Sequence, residues 1–373
     1  MPTAIAAVLA AHHEPFLLRE VEIEHPRPGE VLIRTVATGL CHTDLSAREG
    51  LIPFPLPGVL GHEGAGIIEE VGEGVSDLVV GDHVVMSFTF CGRCRPCRTG
   101  HPVYCETWAA LNLFGGARAD GTPTLHQHGA ALHGHFFGQS SFATRALASA
   151  GSVIKVPTEA PLELLGPLAC GVQTGAQAVL NVLQPEPGTT LAVFGAGGVG
   201  LSAVIAATHL TGATVAVVDV NAARLELATK LGASHAIDPR EHDPVKALRE
   251  ITGGRGIDRT LEATGIPAVL RQAIDVLAPL GKCGIVGAPA ADAEVSTNIL
   301  GAIVTGSSVI GINQGDPVPR NSIPALVELH RQGRFPFDEL VQVYPFEEIE
   351  QAATDAAAGT VIKPVLRMPH AAL

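Results

Sequence analysis

Thr190-Leu191-Ala192-Val193-Phe194-Gly195-Ala196-Gly197-Gly198-Val199-Gly200 is an apolar run that breaks on four glycines and resumes as Leu201 to Leu210. The residues before Gly195 suit a buried strand, the glycines a tight turn, and the stretch after them a helix. Gly195 permits the turn, Gly197 lets a pyrophosphate approach the backbone, and Gly200 lets helix and strand pack closely. Gly198 and Val199 open the helix, whose free N–H groups and partial positive charge suit phosphates. Asp219 ends the next apolar run, Thr214–Val218. A carboxylate there accepts hydrogen bonds from a ribose and repels a 2′-phosphate, so NAD is favoured over NADP. Val220 to Ala223 put no base beside Asp219, and Arg224 is the cation within reach of the ribose edge. A lone glycine fingerprint is weak evidence; here strand, turn, helix, second strand and acid fall in the required order.

From about Pro185 onwards the same alternation continues. Strands are expected at Thr190–Phe194, Thr214–Val218, Arg259–Glu262 and Lys282–Val286, with helices at Gly198–Leu210 and Asn221–Leu231. Near-continuous apolar strands separated by helices predict an α/β unit with a doubly wound parallel sheet of Rossmann type. Residues 1 to about 150 read differently, as short β-rich runs such as Val31–Arg34, Ala65–Val71 and Asp82–Met86. Pro and Gly punctuate them, as in Pro26-Arg-Pro-Gly-Glu30 and Gly72-Glu-Gly74. The Ala-rich Gln351–Gly359 reads as an amphipathic helix.

The chain has 373 residues, more than one core comfortably serves, so two domains are expected. Its formal net charge of −13 repels phosphate backbones and anionic lipid, which disfavours nucleic-acid and membrane binding. Leu191–Leu210 is long enough to resemble a membrane span, but its glycines suit a strand, turn and helix better. Met1–Ala10 has no basic residue ahead of its apolar run and does not read as a secretory signal. A soluble, cytoplasmic protein is expected, and its seven cysteines then point to metal or catalysis rather than disulfides.

Cys91, Cys94, Cys97 and Cys105 lie within fifteen residues. Four thiolates in a compact loop suit tetrahedral zinc and leave no position open for chemistry, so the site would be structural. Arg93, Arg95 and Arg98 interleave the thiols and help offset their charge. Disulfides and an iron–sulfur centre are the alternatives that spacing alone leaves open. A second set is dispersed: Cys41, His62 and Cys170. Singly, each is more often packing than ligand; together they supply two sulfurs and one nitrogen with a fourth position free. Cys283, in an apolar run, reads as a buried inert thiol. His126, His128, His133 and His135 read as part of a solvated connecting loop, because no acid or thiol lies near them in sequence.

Read together, these residues resemble the zinc-dependent medium-chain alcohol dehydrogenases, and within them the aryl (benzyl) alcohol type. Gly61-His-Glu-Gly-Ala-Gly66 through Val75 is similar to the zinc signature of that family, and the four-cysteine lobe, the Gly195–Gly200 turn and Val361-Ile-Lys-Pro-Val-Leu366 also match. The aryl type rests on Cys41-His-Thr-Asp44, Leu164-Leu-Gly-Pro-Leu-Ala-Cys170-Gly and Gly311-Ile-Asn-Gln-Gly-Asp-Pro317.

The resemblance implies a β-rich, GroES-like catalytic domain at 1–171, an NAD-binding domain at 172–312, and a return to the first domain at 313–373. It implies two zinc ions per subunit, the catalytic one on Cys41, His62 and Cys170. Glu63 matches a carboxylate that approaches the metal during ligand exchange, and Asp44 one that orients the histidine ligand. Thr43 matches the hydroxyl that takes the alcohol proton; Phe88, and less directly Phe54 and Phe136, match walls of the substrate pocket. His42 and Lys363 match positions facing the cofactor pyrophosphate. One departure stands out: the histidine that ends the family's proton relay is replaced here by Ser46, which passes a proton but does not hold one near neutral pH. Water or His42 would then complete the relay. The expected reaction is reversible oxidation of a primary aryl alcohol to the aldehyde with NAD. Allylic terpene or aliphatic alcohols are the alternatives, and a non-catalytic protein on this scaffold is the remote one. The family also implies a homodimer or homotetramer.

Overall fold

The computed structural model describes residues 1–369; residues 370–373, the end of the expected returning segment, lie outside the described residues. The chain divides into two compact units, Met1–Cys170 with Val318–Arg331 and Asp338–Leu373, and Gly171–Pro317 with Gln332–Phe337.

In the second unit, six parallel strands lie in the order His235–Ile237, Thr214–Val218, Thr190–Phe194, Ile257–Glu262, Leu277–Ile285, Ser308–Gly311. Chain order runs outward in both directions from Thr190–Phe194, so the crevice at the switch in strand order opens where Gly195 begins. Leu191–Phe194 and Val215–Val218 are buried on both faces, as the unbroken apolar runs require. Two strands are longer than their apolar patterns indicate, since Ile257 and Leu277 pair ahead of the regular register. Leu191–Leu210 is the expected strand, turn and helix, and no helix among the described residues is long and apolar enough to cross a membrane.

The first unit is built on two antiparallel-rich sheets. The larger runs Val153–Lys155, His83–Met86, Glu63–Val71, Glu30–Gly39, Lys363–Arg367, Val341–Pro345, with Arg145–Ser149 also paired to Glu30–Gly39. Its register positions the site. Gly39 pairs with Glu63 on one side and Val365 on the other, both antiparallel. Two residues further along, Cys41 therefore stands opposite the start of each neighbour, beside His62 and Lys363. The smaller sheet contains a hairpin, Leu125–Gln127 with Ala130–Leu132, where a solvated loop is expected from the histidines. His128 and Gly129 both have positive φ, the geometry of a two-residue hairpin turn, and His126 Nε2 reaches Glu24 at 3.0 Å.

Candidate active site

Asp44 organises the centre of the first unit. It lies in the helix His42–Arg48 that follows Cys41, and its side chain is fully buried. Oδ2 accepts from the Cys41 amide at 2.9 Å; Oδ1 accepts from the Gly61 amide at 3.1 Å and lies 3.0 Å from His62 Nδ1. A carboxylate at Nδ1 keeps the proton on that nitrogen and turns the Nε2 lone pair away from it. Nε2 is buried and has no hydrogen-bond partner. Cys170 sits between the short turn Gly166–Ala169 and the helix Gly171–Gln177. Ligand atoms of Cys41, His62, Glu63 and Cys170 all lie within 4.8 Å of one another.

The electrostatics favour a cation at this point. Burial pushes the His62 pKa down, but the charge and hydrogen bond of Asp44, with Cys41 behind them, outweigh it and raise it to about 10. Cys41 is held well below the ordinary thiol range, chiefly by a hydrogen bond from Cys170 and then by Lys363 and His62. An orphaned imidazole nitrogen between two sulfurs fits a zinc ion with one tetrahedral position left open. Glu63 reaches the same spot, yet its carboxylate is engaged: Lys363 Nζ donates to Oε1 at 2.8 Å and to Oε2 at 3.0 Å. Burial raises the Glu63 pKa to about 7 against the pull of Lys363. Lys363, which the resemblance sets facing the cofactor pyrophosphate, is buried and pairs with Glu63.

Around these groups the structure gathers some of the expected residues and adds others. Thr43 Oγ1 is 3.8 Å from Cys41 Sγ; Ser46 is half-buried one helical turn on, and His42 is exposed. Phe136 meets the His62 ring edge-on at 5.6 Å, and Phe54 packs on Phe136 at 5.1 Å. Phe88 is buried in the same core and pairs with Phe90, without a ring contact to His62. Phe137 and Trp108 have no signal in sequence. Phe137 stacks on His62 at 4.4 Å, and Trp108 meets Phe137 edge-on at 5.6 Å. Gln139 is also unanticipated, bonding the backbone on either side of Glu63.

The Sγ atoms of Cys91, Cys94, Cys97 and Cys105 also lie within 4.8 Å of one another. Backbone amides point at the sulfurs: Cys94 N donates to Cys91 Sγ and Cys91 N to Cys105 Sγ, each at 3.4 Å. Amide donors, first that of Arg93, lower the Cys91 pKa to about 6. Burial and the neighbouring sulfur of Cys94 push Cys97 the other way, up to about 12. Four converging sulfurs, with amides aimed at two of them, fit a closed zinc site.

In the second unit, Gly195 has φ +96°, a conformation that excludes most side chains. A Cβ on Gly200 would lie 1.8 Å from Gly195 O, whereas one on Gly197 would meet nothing within 4 Å. Turn and helix are therefore in close contact at Gly200, with an open cradle at Gly197 into which a phosphate fits. Asp219 Oδ2 accepts from Ala196 N at 2.6 Å, and Oδ1 from Asn221 N at 2.7 Å. Asp219 thus ties the turn to the second strand while its remaining lone pairs stay available. Arg224 is half-buried in the first turn of the helix Ala222–Lys230.

Comparison with known proteins agrees with this chemistry. Residues 27–158 match the alcohol dehydrogenase GroES-like domain, and residues 198–332 the zinc-binding dehydrogenase family. A geraniol dehydrogenase of Castellaniella defragrans is 47% identical over 98% of this chain and 97% of its own length. Among solved structures, an alcohol dehydrogenase zinc-binding domain protein from Burkholderia ambifaria superposes with a TM-score of 0.97 at 53% identity, covering 99% of this chain and all of the other. A benzyl alcohol dehydrogenase from Acinetobacter calcoaceticus gives 0.95 at 44% identity, again over 99% of this chain and all of the other.

Proposed function

Because the chain belongs to the zinc-binding medium-chain alcohol dehydrogenases, we propose that it oxidises a primary aryl (benzyl-type) alcohol to the aldehyde with NAD, reversibly. The observation that carries this reading is the unpartnered His62 Nε2, set between two thiols and backed by aromatic rings. Zinc held by Cys41, His62 and Cys170 supplies a Lewis acid for the alcohol oxygen, and NAD supplies the hydride acceptor.

The chain's own residues do the rest. Asp44 fixes the His62 ring, and Glu63, balanced by Lys363, stands beside the ligands. Thr43 takes the hydroxyl proton and passes it outward through Ser46 or the exposed His42. Phe54, Phe136 and Phe88 exclude water and favour an apolar ring over a charged substrate. Gly195, Gly197, Gly198, Val199 and Gly200 cradle the cofactor phosphates, with Asp219 and Arg224 at the ribose. Cys91, Cys94, Cys97 and Cys105 hold a second, structural zinc. Residues 1–171 and 313–373 serve catalysis, and 172–312 the cofactor.

A second reading, oxidation of an allylic terpene alcohol, is favoured by the 47% identity to a geraniol dehydrogenase. Both substrates place an sp² carbon next to the carbinol carbon. NAD reduction by the zinc-loaded protein with benzyl alcohol, geraniol and ethanol separates them. A kcat/KM at least tenfold higher for benzyl alcohol is expected; preference for geraniol overturns the aryl assignment, and turnover of ethanol alone overturns both.

The protein acts in the cytoplasm as a homodimer or homotetramer. All seven cysteines are free, which suits a reducing compartment. The edge strand Ser308–Gly311 adjoins a helix, Ile299–Thr305, that exposes Ile299, Leu300, Ile303 and Val304, an apolar surface that a second copy would cover.

A further inference from the structure

The segment His135–Ser140 is held in an unusual backbone conformation. His135, Phe137 and Ser140 have φ of +69°, +50° and +47°, with Gly138 at +69° among them. Residues with side chains adopt this region only at a conformational cost, and keep it where their surroundings enforce it. Ser140 supplies part of the enforcement: its Oγ donates to Val59 O at 2.6 Å and accepts from Phe136 N at 2.9 Å. Gln139 supplies the rest, and it does so at the metal-binding strand.

The ladder between Glu63–Val71 and His83–Met86 ends at the pair Ala65 and Val85. Beyond that pair, the Gln139 side chain takes the place of the missing rungs. Oε1 accepts from Gly64 N at 3.0 Å; Nε2 donates to His62 O at 3.0 Å and to Met86 O at 3.1 Å. Gln139 is buried, so each of these groups would otherwise be left unsatisfied. One amide thereby fixes the peptide groups on both sides of Glu63, and the same segment lays the Phe137 ring flat on the His62 imidazole at 4.4 Å.

We propose that Gln139 is a positioning residue for His62: its amide clamps the backbone at residues 62 to 64 and so sets where Nε2 stands between Cys41 and Cys170. This rests on the reading of Cys41, His62 and Cys170 as zinc ligands. Gln139 touches neither metal nor substrate and acts through the strand.

The test is release of zinc from the purified full-length chain to a chromogenic chelator, with visible spectra of the cobalt-substituted protein. The Cys91–Cys105 site, which Gln139 does not contact, serves as internal control. Wild type should release two zincs in two phases. Gln139→Met matches the length and has neither donor nor strong acceptor. It should release one zinc at least tenfold faster, in line with the 10–100-fold effects of groups that support metal ligands. The other zinc should leave at the wild-type rate, and the cobalt bands should shift. Gln139→Glu, which keeps the acceptor for Gly64 N, should fall between the two, and it carries the test alone if the methionine variant does not fold. Either variant releasing both zincs at wild-type rates with an unshifted cobalt spectrum, whatever its melting temperature, overturns the proposal. A wild-type chain that binds one zinc alone overturns instead the ligand reading beneath it.

Discussion

Lys363 and Glu63 form an ion pair across 300 residues of sequence, with Nζ 2.8 and 3.0 Å from the two carboxylate oxygens and the lysine only 4% exposed. The pair lies against Cys41 and Cys170, where an uncompensated carboxylate would face two sulfurs. Removing one partner of a buried pair leaves a charge without water or counter-charge. Lys363→Met should therefore cost about 3–5 kcal/mol of folding stability, read from urea unfolding. Adding Glu63→Gln should recover more than half of that loss. Equal stability of the single and double variants would contradict the account.

Gly39 leaves room for the same carboxylate. A Cβ built there would lie 2.0 Å from Glu63 Oε2. Gly39→Ala should push the carboxylate off Lys363 and destabilise the chain by about 1–3 kcal/mol, the usual cost of overpacking. Glu63→Asp, one methylene shorter, should relieve the clash. A double-mutant cycle measured by denaturant midpoints should thus show coupling, and strict additivity would refute the contact.

His135 makes the first unit sensitive to mild acid. Burial lowers its pKa to about 4, with Glu30 opposing the shift and Arg118 adding to it. Its Nδ1 is buried without a hydrogen-bond partner. The unfolded chain binds a proton near pH 6.5 and the folded chain only near 4, so between these values the unfolded state holds more protons. Stability is fully present above about pH 6.5 and falls as pH drops towards 4, by roughly 2 kcal/mol at pH 5. The Glu30–Arg118 pair, whose carboxyl is held below its ordinary value, is lost only at lower pH. His135→Asn tolerates the left-handed backbone and does not titrate. Glu63, with its pKa raised to about 7, takes up a proton in the same window in both proteins and opposes the fall, so the difference between them is the readout. Wild type should lose melting temperature relative to the variant from pH 7 to 5; parallel curves would rule out His135 as the cause.

Legibility in the sequence follows distance along the chain. The Gly195–Gly200 turn and the Cys91–Cys105 cluster are contiguous, and each residue type has one evident purpose, so both could be read directly. Cys41, His62 and Cys170 are dispersed, and only resemblance brought them together. The Lys363–Glu63 pair depends on strand register, in which Gly39 lies between Glu63 and Val365, and no local pattern encodes that. Gln139 and Phe137 act through one buried amide and one stacked ring, and such residues look like any others in a loop. The hairpin at His128-Gly129 has one local signal, the glycine of its turn; its strands, Leu125–Gln127 and Ala130–Leu132, hold no β-branched or aromatic residue to mark them.

Asp219 has two tasks that a pair of substitutions can separate. Its charge should exclude a 2′-phosphate, while Oδ2 holds the Ala196 amide at 2.6 Å and so shapes the glycine turn. Asp219→Asn removes the charge and keeps an acceptor for Ala196 N. It should raise the KM for NAD only a few-fold while narrowing the preference over NADP by about tenfold or more, since one unit of like-charge repulsion near the surface is worth on the order of 1–2 kcal/mol. Asp219→Ala loses both functions and should weaken NAD binding by a further tenfold or so, the worth of the one neutral hydrogen bond that asparagine keeps. Steady-state kinetics with each cofactor at saturating alcohol measures both effects. If the asparagine variant discriminated against NADP as strongly as wild type, selectivity would have to come from the shape of the turn, and Asp219 would be a structural tie alone.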